Sequence, residues 1–99
     1  MNHEIDIEIP GRNGPKDYGS AAFNKALFNT FVGENEDEYT TEFFQDSMNY
    51  ADGNFHTFRF DLHTSGNKRV EFYVDGVLKH VTTTNVPTSA MRLWIGVWF

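Results

Sequence analysis

Glu4, Asp6 and Glu8 alternate with Ile5 and Ile7 near the N-terminus, in the run Glu4-Ile5-Asp6-Ile7-Glu8. Strict alternation of acid and isoleucine is the period-two signature of a strand. It predicts His3, Ile5, Ile7 and Ile9 on one side and Glu4, Asp6 and Glu8 on the other. Acids are depleted in strands, and like charges on one face repel. A chain that keeps such an arrangement gains something from it, which makes the three acids candidate catalytic residues. Paired carboxylates suit a reaction that needs one ionised nucleophile and one proton donor, as cleavage of a glycosidic bond does. Double displacement brings the two carboxyl groups to about 5–5.5 Å. Residues i and i+4 of a strand are about 13 Å apart at Cα. Glu4 and Glu8 converge only if both side chains lean inward over a curved strand. Aspartates at the same positions would be too short. Asp6, between them, disfavours ionising both neighbours at once and so raises the pKa of one. The acids would then titrate as a coupled set. The alternative is an amphipathic strand whose acidic face simply meets solvent.

Around this strand the bulk properties set limits. The 99 residues suffice for one small domain, and 16% of them are aromatic, with ten Phe, four Tyr and two Trp. That composition suits β structure and recognition of flat apolar surfaces. A net charge of −6 argues against nucleic acid, which calls for clustered Lys and Arg, and against an anionic membrane surface. With no cysteine, neither a disulfide framework nor a Cys-based zinc site can form. No stretch is long and apolar enough to span a bilayer as a helix. Met1-Asn2-His3-Glu4 leads straight into the first strand, without the pattern of a secretory signal.

The remaining chain reads as strands separated by turns. Breakers crowd residues 10–15, which are expected to form a loop. Residues 21–32 follow as a central strand, with Phe23, Leu27, Asn29 and Phe31 on one face and Ala22, Ala26, Phe28 and Val32 on the other. Residues 33–38 form an acidic, solvated turn. Residues 39–45 are a third strand and 46–54 a loop. In residues 55–62, His56, Phe58, Phe60 and Leu62 share a face opposite Thr57, Arg59 and Asp61. Residues 65–67 are a turn. Residues 69–74 and 77–84 are joined at Asp75-Gly76, the strongest hairpin signal present, because a type I′ turn needs positive φ at both positions. Asn85-Val86-Pro87 ends that strand. Residues 91–99 alternate once more, with Met91, Leu93, Ile95 and Val97 opposite Arg92, Trp94, Gly96 and Trp98. Seven short strands without helical periodicity predict an all-β, antiparallel sandwich.

Several of these stretches together resemble glycoside hydrolase family 16, which includes lichenases, laminarinases, agarases and carrageenases. His3-Glu4-Ile5-Asp6-Ile7-Glu8-Ile9-Pro10-Gly11 is similar to the family's active-site strand. Phe55-His56-Thr57-Phe58-Arg59-Phe60-Asp61 and Tyr73-Val74-Asp75-Gly76-Val77-Leu78-Lys79-His80 resemble bacterial lichenases in particular. So do Asn85-Val86-Pro87 and Trp94-Ile95-Gly96-Val97-Trp98. The likeness runs from about Asn2 to Phe99. It implies a jelly-roll β-sandwich of the concanavalin A-like type with a cleft on its concave sheet. It also implies retaining, endo-acting hydrolysis of a β-linked polysaccharide, a β-1,3- or β-1,3-1,4-glucan, by a secreted or periplasmic protein. Glu4 matches the nucleophile, Glu8 the general acid/base and Asp6 the residue that tunes them. Asn29 matches a sugar-binding asparagine and Trp98 a cleft tryptophan. Indole stacks on the C–H face of a sugar while polar groups hold its hydroxyls. Trp94 joins them as a candidate substrate contact, with core packing as its alternative.

The chain also departs from the family pattern. Sandwiches of this kind run to about 200 residues or more, so residues 1–99 are expected to be the central part of a catalytic domain, apparently incomplete. Leu62 stands where many relatives carry Trp, Gly96 where lichenases carry Asn, and Asn2 where an aromatic residue is common. No metal or cofactor is expected. Among the four histidines, His3 and His56 read as satisfied, partly buried imidazoles and His63 and His80 as surface residues, and no pair has metal-ligand spacing. Two other readings stand beside the hydrolase. One is a lectin-like half-sandwich that holds glycan without cutting it, and the other is an inactive truncated fragment. Open strand edges favour a homodimer or a monomer of low stability.

Overall fold

In the computed structural model, residues 2–11, 24–33, 40–89 and 91–97 are described. Six strands occur among them: β1 (Asn2–Glu8), β2 (Leu27–Gly33), β3 (Thr40–Gln45), β4 (Phe58–His63), β5 (Arg69–Val74) and β6 (Val77–Thr82). They form two three-stranded sheets, β1-β2-β3 and β4-β5-β6, and every pairing is antiparallel. No helix occurs among the described residues. The fold is the all-β antiparallel sandwich that the alternating pattern predicts.

The central strands of the two sheets supply the core. Phe28 of β2 and Phe72 of β5 are both fully buried, and their rings stack at 4.9 Å between centroids. Ala26, Tyr50, Val70 and Val74 complete the buried cluster, with Ile5, Ile7, Phe44, Phe58, Leu62 and Val86 packed against it. Alternate residues of β5 enter this layer, as period two requires: Val70, Phe72 and Val74 are buried and Arg69, Glu71 and Tyr73 are not. A polar tie crosses the same layer where Thr30, buried, donates its hydroxyl to the Thr84 carbonyl at 2.9 Å.

Turn chemistry fixes the β5–β6 hairpin. Asp75 and Gly76 have φ of 51° and 79°, the positive pair that the type I′ expectation requires. Asp75 also reaches outside its turn. Its Oδ1 accepts from the Thr57 amide at 2.8 Å, and its Oδ2 lies 2.7 Å from His56 Nδ1. The other ring nitrogen of His56 meets Asp52 at 2.9 Å. His56 is thus the satisfied, partly buried imidazole expected of it, and it clamps the 52–57 loop to the hairpin tip.

Some expectations change. The strand expected over 55–62 starts at Phe58, and Phe55 is fully exposed, because the backbone before Phe58 follows the His56 clamp rather than a ladder. His80, expected at the surface, lies between the sheets, with its ring 4.4 Å from Phe44 and 6.1 Å from Phe72. The β-bulge between Phe72 and Tyr73 brings it opposite Phe72. His63, also expected at the surface, is half-buried and bonded to Glu71. His3 is half-buried on the isoleucine side as expected, but its Nδ1 has no hydrogen-bond partner among the described residues. Residues 91–97 form no strand, and Leu93, Trp94, Ile95 and Val97 are strongly exposed. Their alternation has no ladder to join, since none of the six strands pairs with them. Residues 12–15, 21–23 and 34–39, together with Trp98 and Phe99, lie outside the described residues.

Candidate active site

β1 holds the three acids by the simplest means available to a strand. Its inner side chains, Ile5 and Ile7, pack against the core, so Glu4, Asp6 and Glu8 are turned to the outer face. The ladder to β2 sets Phe31 opposite Glu4, Asn29 opposite Asp6 and Leu27 opposite Glu8. The sequence-expected set of Glu4, Asp6, Glu8 and Asn29 therefore lies on one outer surface of one sheet. Asn29 Nδ2 donates to Asp6 Oδ2 at 3.2 Å.

The three carboxyls share an electrostatic field. Burial pushes the Glu8 pKa up, and the charges of Asp6 and Glu4 push it further. Glu4 is raised by burial and then by Asp6. Asp6 is raised by burial, against a downward pull from the Asn29 hydrogen bond. The sequence leads one to expect charge repulsion as the source of the shift. Burial is the larger cause at all three positions, because half-buried Asp6 and Glu8 sit beside apolar neighbours such as buried Leu27. Repulsion adds to this at both glutamates. The outcome is a carboxyl set that holds protons to higher pH than free acids do, as proton donation to a leaving group requires.

Trp94 lies in the strand-free 91–97 segment with its indole exposed. Trp98 lies outside the described residues. The sequence reading missed the apolar flank that Leu27 and Phe31 give the acids, although their place on the Asn29 face was legible. It also missed a second cluster, Asp61, His63 and Glu71, whose ligand-capable atoms all lie within 4.8 Å of one another. Asp61 and His63 are two apart on β4, but Glu71 joins them only through the β4–β5 register, where it faces Asp61.

Two packed antiparallel sheets with a row of acids on an edge strand define a β-sandwich with an acidic outer face. The match to the model of Glycosyl hydrolases family 16 spans residues 1–99, and the chain belongs to that family. It is 35% identical over 95 residues to a beta-glucanase of Paenibacillus polymyxa, covering 96% of this chain and 34% of that protein. It is 34% identical to a beta-glucanase of Paenibacillus macerans, with the same coverage. A beta-glucanase of Bacillus licheniformis is 33% identical over 95 residues, covering 96% of this chain and 33% of its own length. The chain thus spans about a third of the length of the curated relatives it matches. No solved structure matches it significantly.

Proposed function

We propose that residues 1–99 are the central part of a catalytic domain that hydrolyses β-1,3- or β-1,3-1,4-glucan within the chain, with retention of anomeric configuration. The observation that carries this reading is the shared outer face of Glu4, Asp6 and Glu8, with pKa values raised by burial and, at the two glutamates, by mutual charge. Glu4, the most exposed of the three, attacks the anomeric carbon as carboxylate. The bond to the glycosidic oxygen breaks, and Glu8 gives its proton to that oxygen. A glycosyl ester on Glu4 results. Glu8, now a carboxylate, takes a proton from water as the water oxygen attacks the anomeric carbon, and Glu4 leaves ionised. Asp6, held by Asn29, keeps a negative charge beside Glu8 so that its proton returns for the next cycle. Asn29 and the two tryptophans, Trp94 and Trp98, contribute sugar contacts. The expected location is outside the cytoplasm, where polysaccharide substrates lie.

The test is release of reducing ends from mixed-linkage β-glucan and from laminarin, with Glu4→Gln and Glu8→Gln as comparisons. Release abolished in both variants supports the assignment. Binding without release in the parent protein supports a glycan-holding module instead. Release that survives Glu4→Gln removes the nucleophile.

A further inference from the structure

The outer face of the second sheet carries a group of side chains that glucan hydrolysis does not use. Asp61 and His63 project from β4 on the side away from the core, and Glu71 faces Asp61 from β5. Two carboxylates set directly opposite each other on a ladder destabilise it. All three residues are half-buried, and in the absence of an ion Arg59, Arg69 and His63 offset the two negative charges. We propose that Asp61, His63 and Glu71 bind one divalent first-row transition-metal ion, zinc or a near neighbour, which staples β4 to β5.

Donor type selects the ion. One imidazole nitrogen and two carboxylate oxygens suit zinc, cobalt and nickel, whereas calcium and magnesium favour sites made of oxygen alone. Bonds of about 2.0–2.2 Å to such an ion place neighbouring ligand atoms roughly 3–3.5 Å apart. The three donors lie within 4.8 Å of one another, so closing on an ion takes rotamer adjustment and no strand movement. The scaffold is firm. β5 is the middle strand of its sheet, and its reverse face is the buried Val70, Phe72 and Val74.

The surroundings orient the donors. Arg59 Nε holds Asp61 Oδ1 at 3.1 Å, and Arg69 Nε lies 3.6 Å from Glu71 Oε2. Each arginine engages one oxygen of its carboxylate, which leaves Asp61 Oδ2 and Glu71 Oε1 for the ion. Such outer partners fix the ligand orientation in metal sites. His63 Nε2 lies 2.5 Å from Glu71 Oε1, and the ion would take the place of the hydrogen they share. Among the described residues no other histidine offers an equal set. His56 also has two carboxylates, but they engage opposite ring nitrogens, so one ion cannot reach both.

The experiment uses the whole purified protein after chelator treatment. Zn²⁺ is titrated by calorimetry and Co²⁺ by visible absorption, with Ca²⁺ as comparison. The expected result is one equivalent of Zn²⁺ bound, a Co²⁺ spectrum distinct from that of the aqua ion, and Ca²⁺ binding weaker by at least about tenfold. His63→Gln and, independently, Asp61→Asn should each weaken Zn²⁺ binding by about tenfold or more, while His56→Gln leaves it unchanged. Absence of binding overturns the proposal. So does affinity that survives both His63→Gln and Asp61→Asn, or Ca²⁺ binding as tight as Zn²⁺.

Discussion

Asn29 donates its side-chain amide to Asp6 across the β1–β2 ladder at 3.2 Å, directly opposite it in register. This contact is the one influence on Asp6 that opposes burial, and it lowers the pKa that burial raises. Replacing Asn29 with Ala should therefore raise the Asp6 pKa further. The acid limb of the pH–rate profile on β-glucan should move to higher pH, along with any change in KM. An asparagine that only binds sugar would change KM and leave the limb in place.

Glu8 should show its two properties separately. Glu8→Gln removes the proposed proton donor, and turnover on β-glucan should fall by about 10²–10⁴-fold. The same change should raise stability at neutral pH. Burial and the charges of Asp6 and Glu4 hold the Glu8 pKa above its usual 4.5, so the folded state binds its proton more readily than the unfolded chain. Stability then falls as pH rises through the interval between the unfolded and folded values, and it remains lowered above them. A neutral Gln avoids this penalty. Thermal melts at pH 7 should show a higher midpoint for the variant, and the gap should close below pH 4.

The His56 clamp predicts a window of stability. Hydrogen bonds to Asp75 and then Asp52 raise the His56 pKa above 6.5. The same bonds to His56 hold Asp75 and Asp52 below 3.8. The histidine contribution is complete below its unfolded value and is lost as pH rises through the raised folded value. The aspartate contribution is present above the unfolded carboxylate value and is lost as pH falls through the lowered one. The clamp is strongest between about pH 4 and 6.5. Melting midpoints compared at pH 5.5 and pH 8 should drop across that range in the parent protein, and the drop should be smaller in His56→Gln.

The core predicts the largest single loss of stability. Phe72 is fully buried, stacks on Phe28 and lies near His80. Phe72→Ala should cost about 3–5 kcal/mol, a large part of the stability of so small a domain. Denaturant titration followed by far-UV circular dichroism measures it, and a loss below about 1 kcal/mol would mean that the two sheets do not meet at this ring.

Much of this was legible in the sequence, for identifiable reasons. Alternation placed Glu4, Asp6 and Glu8 on one face because period two leaves an extended strand no other choice. Asp75-Gly76 announced its hairpin because few residue pairs accept two positive φ angles. Long-range features were harder to read. Nothing near His80 in the chain indicates Phe44, which reaches it only when the sheets pack. Asp61 and Glu71 are ten positions apart and meet through register. Residues 91–97 have a strand's pattern without a strand's partner, and local pattern alone does not distinguish those cases.

β1 is used from both sides at once, with isoleucines gripping the interior and acids set on the outer face. The spacing of the three acids is thus inherited from how tightly Ile5 and Ile7 seat against the core that holds Phe28. A methylene trimmed from either isoleucine would shift the three acids from beneath without altering any of them. Laboratory evolution aimed at a new temperature optimum should look first at these hidden aliphatic positions and only then at the visible acids.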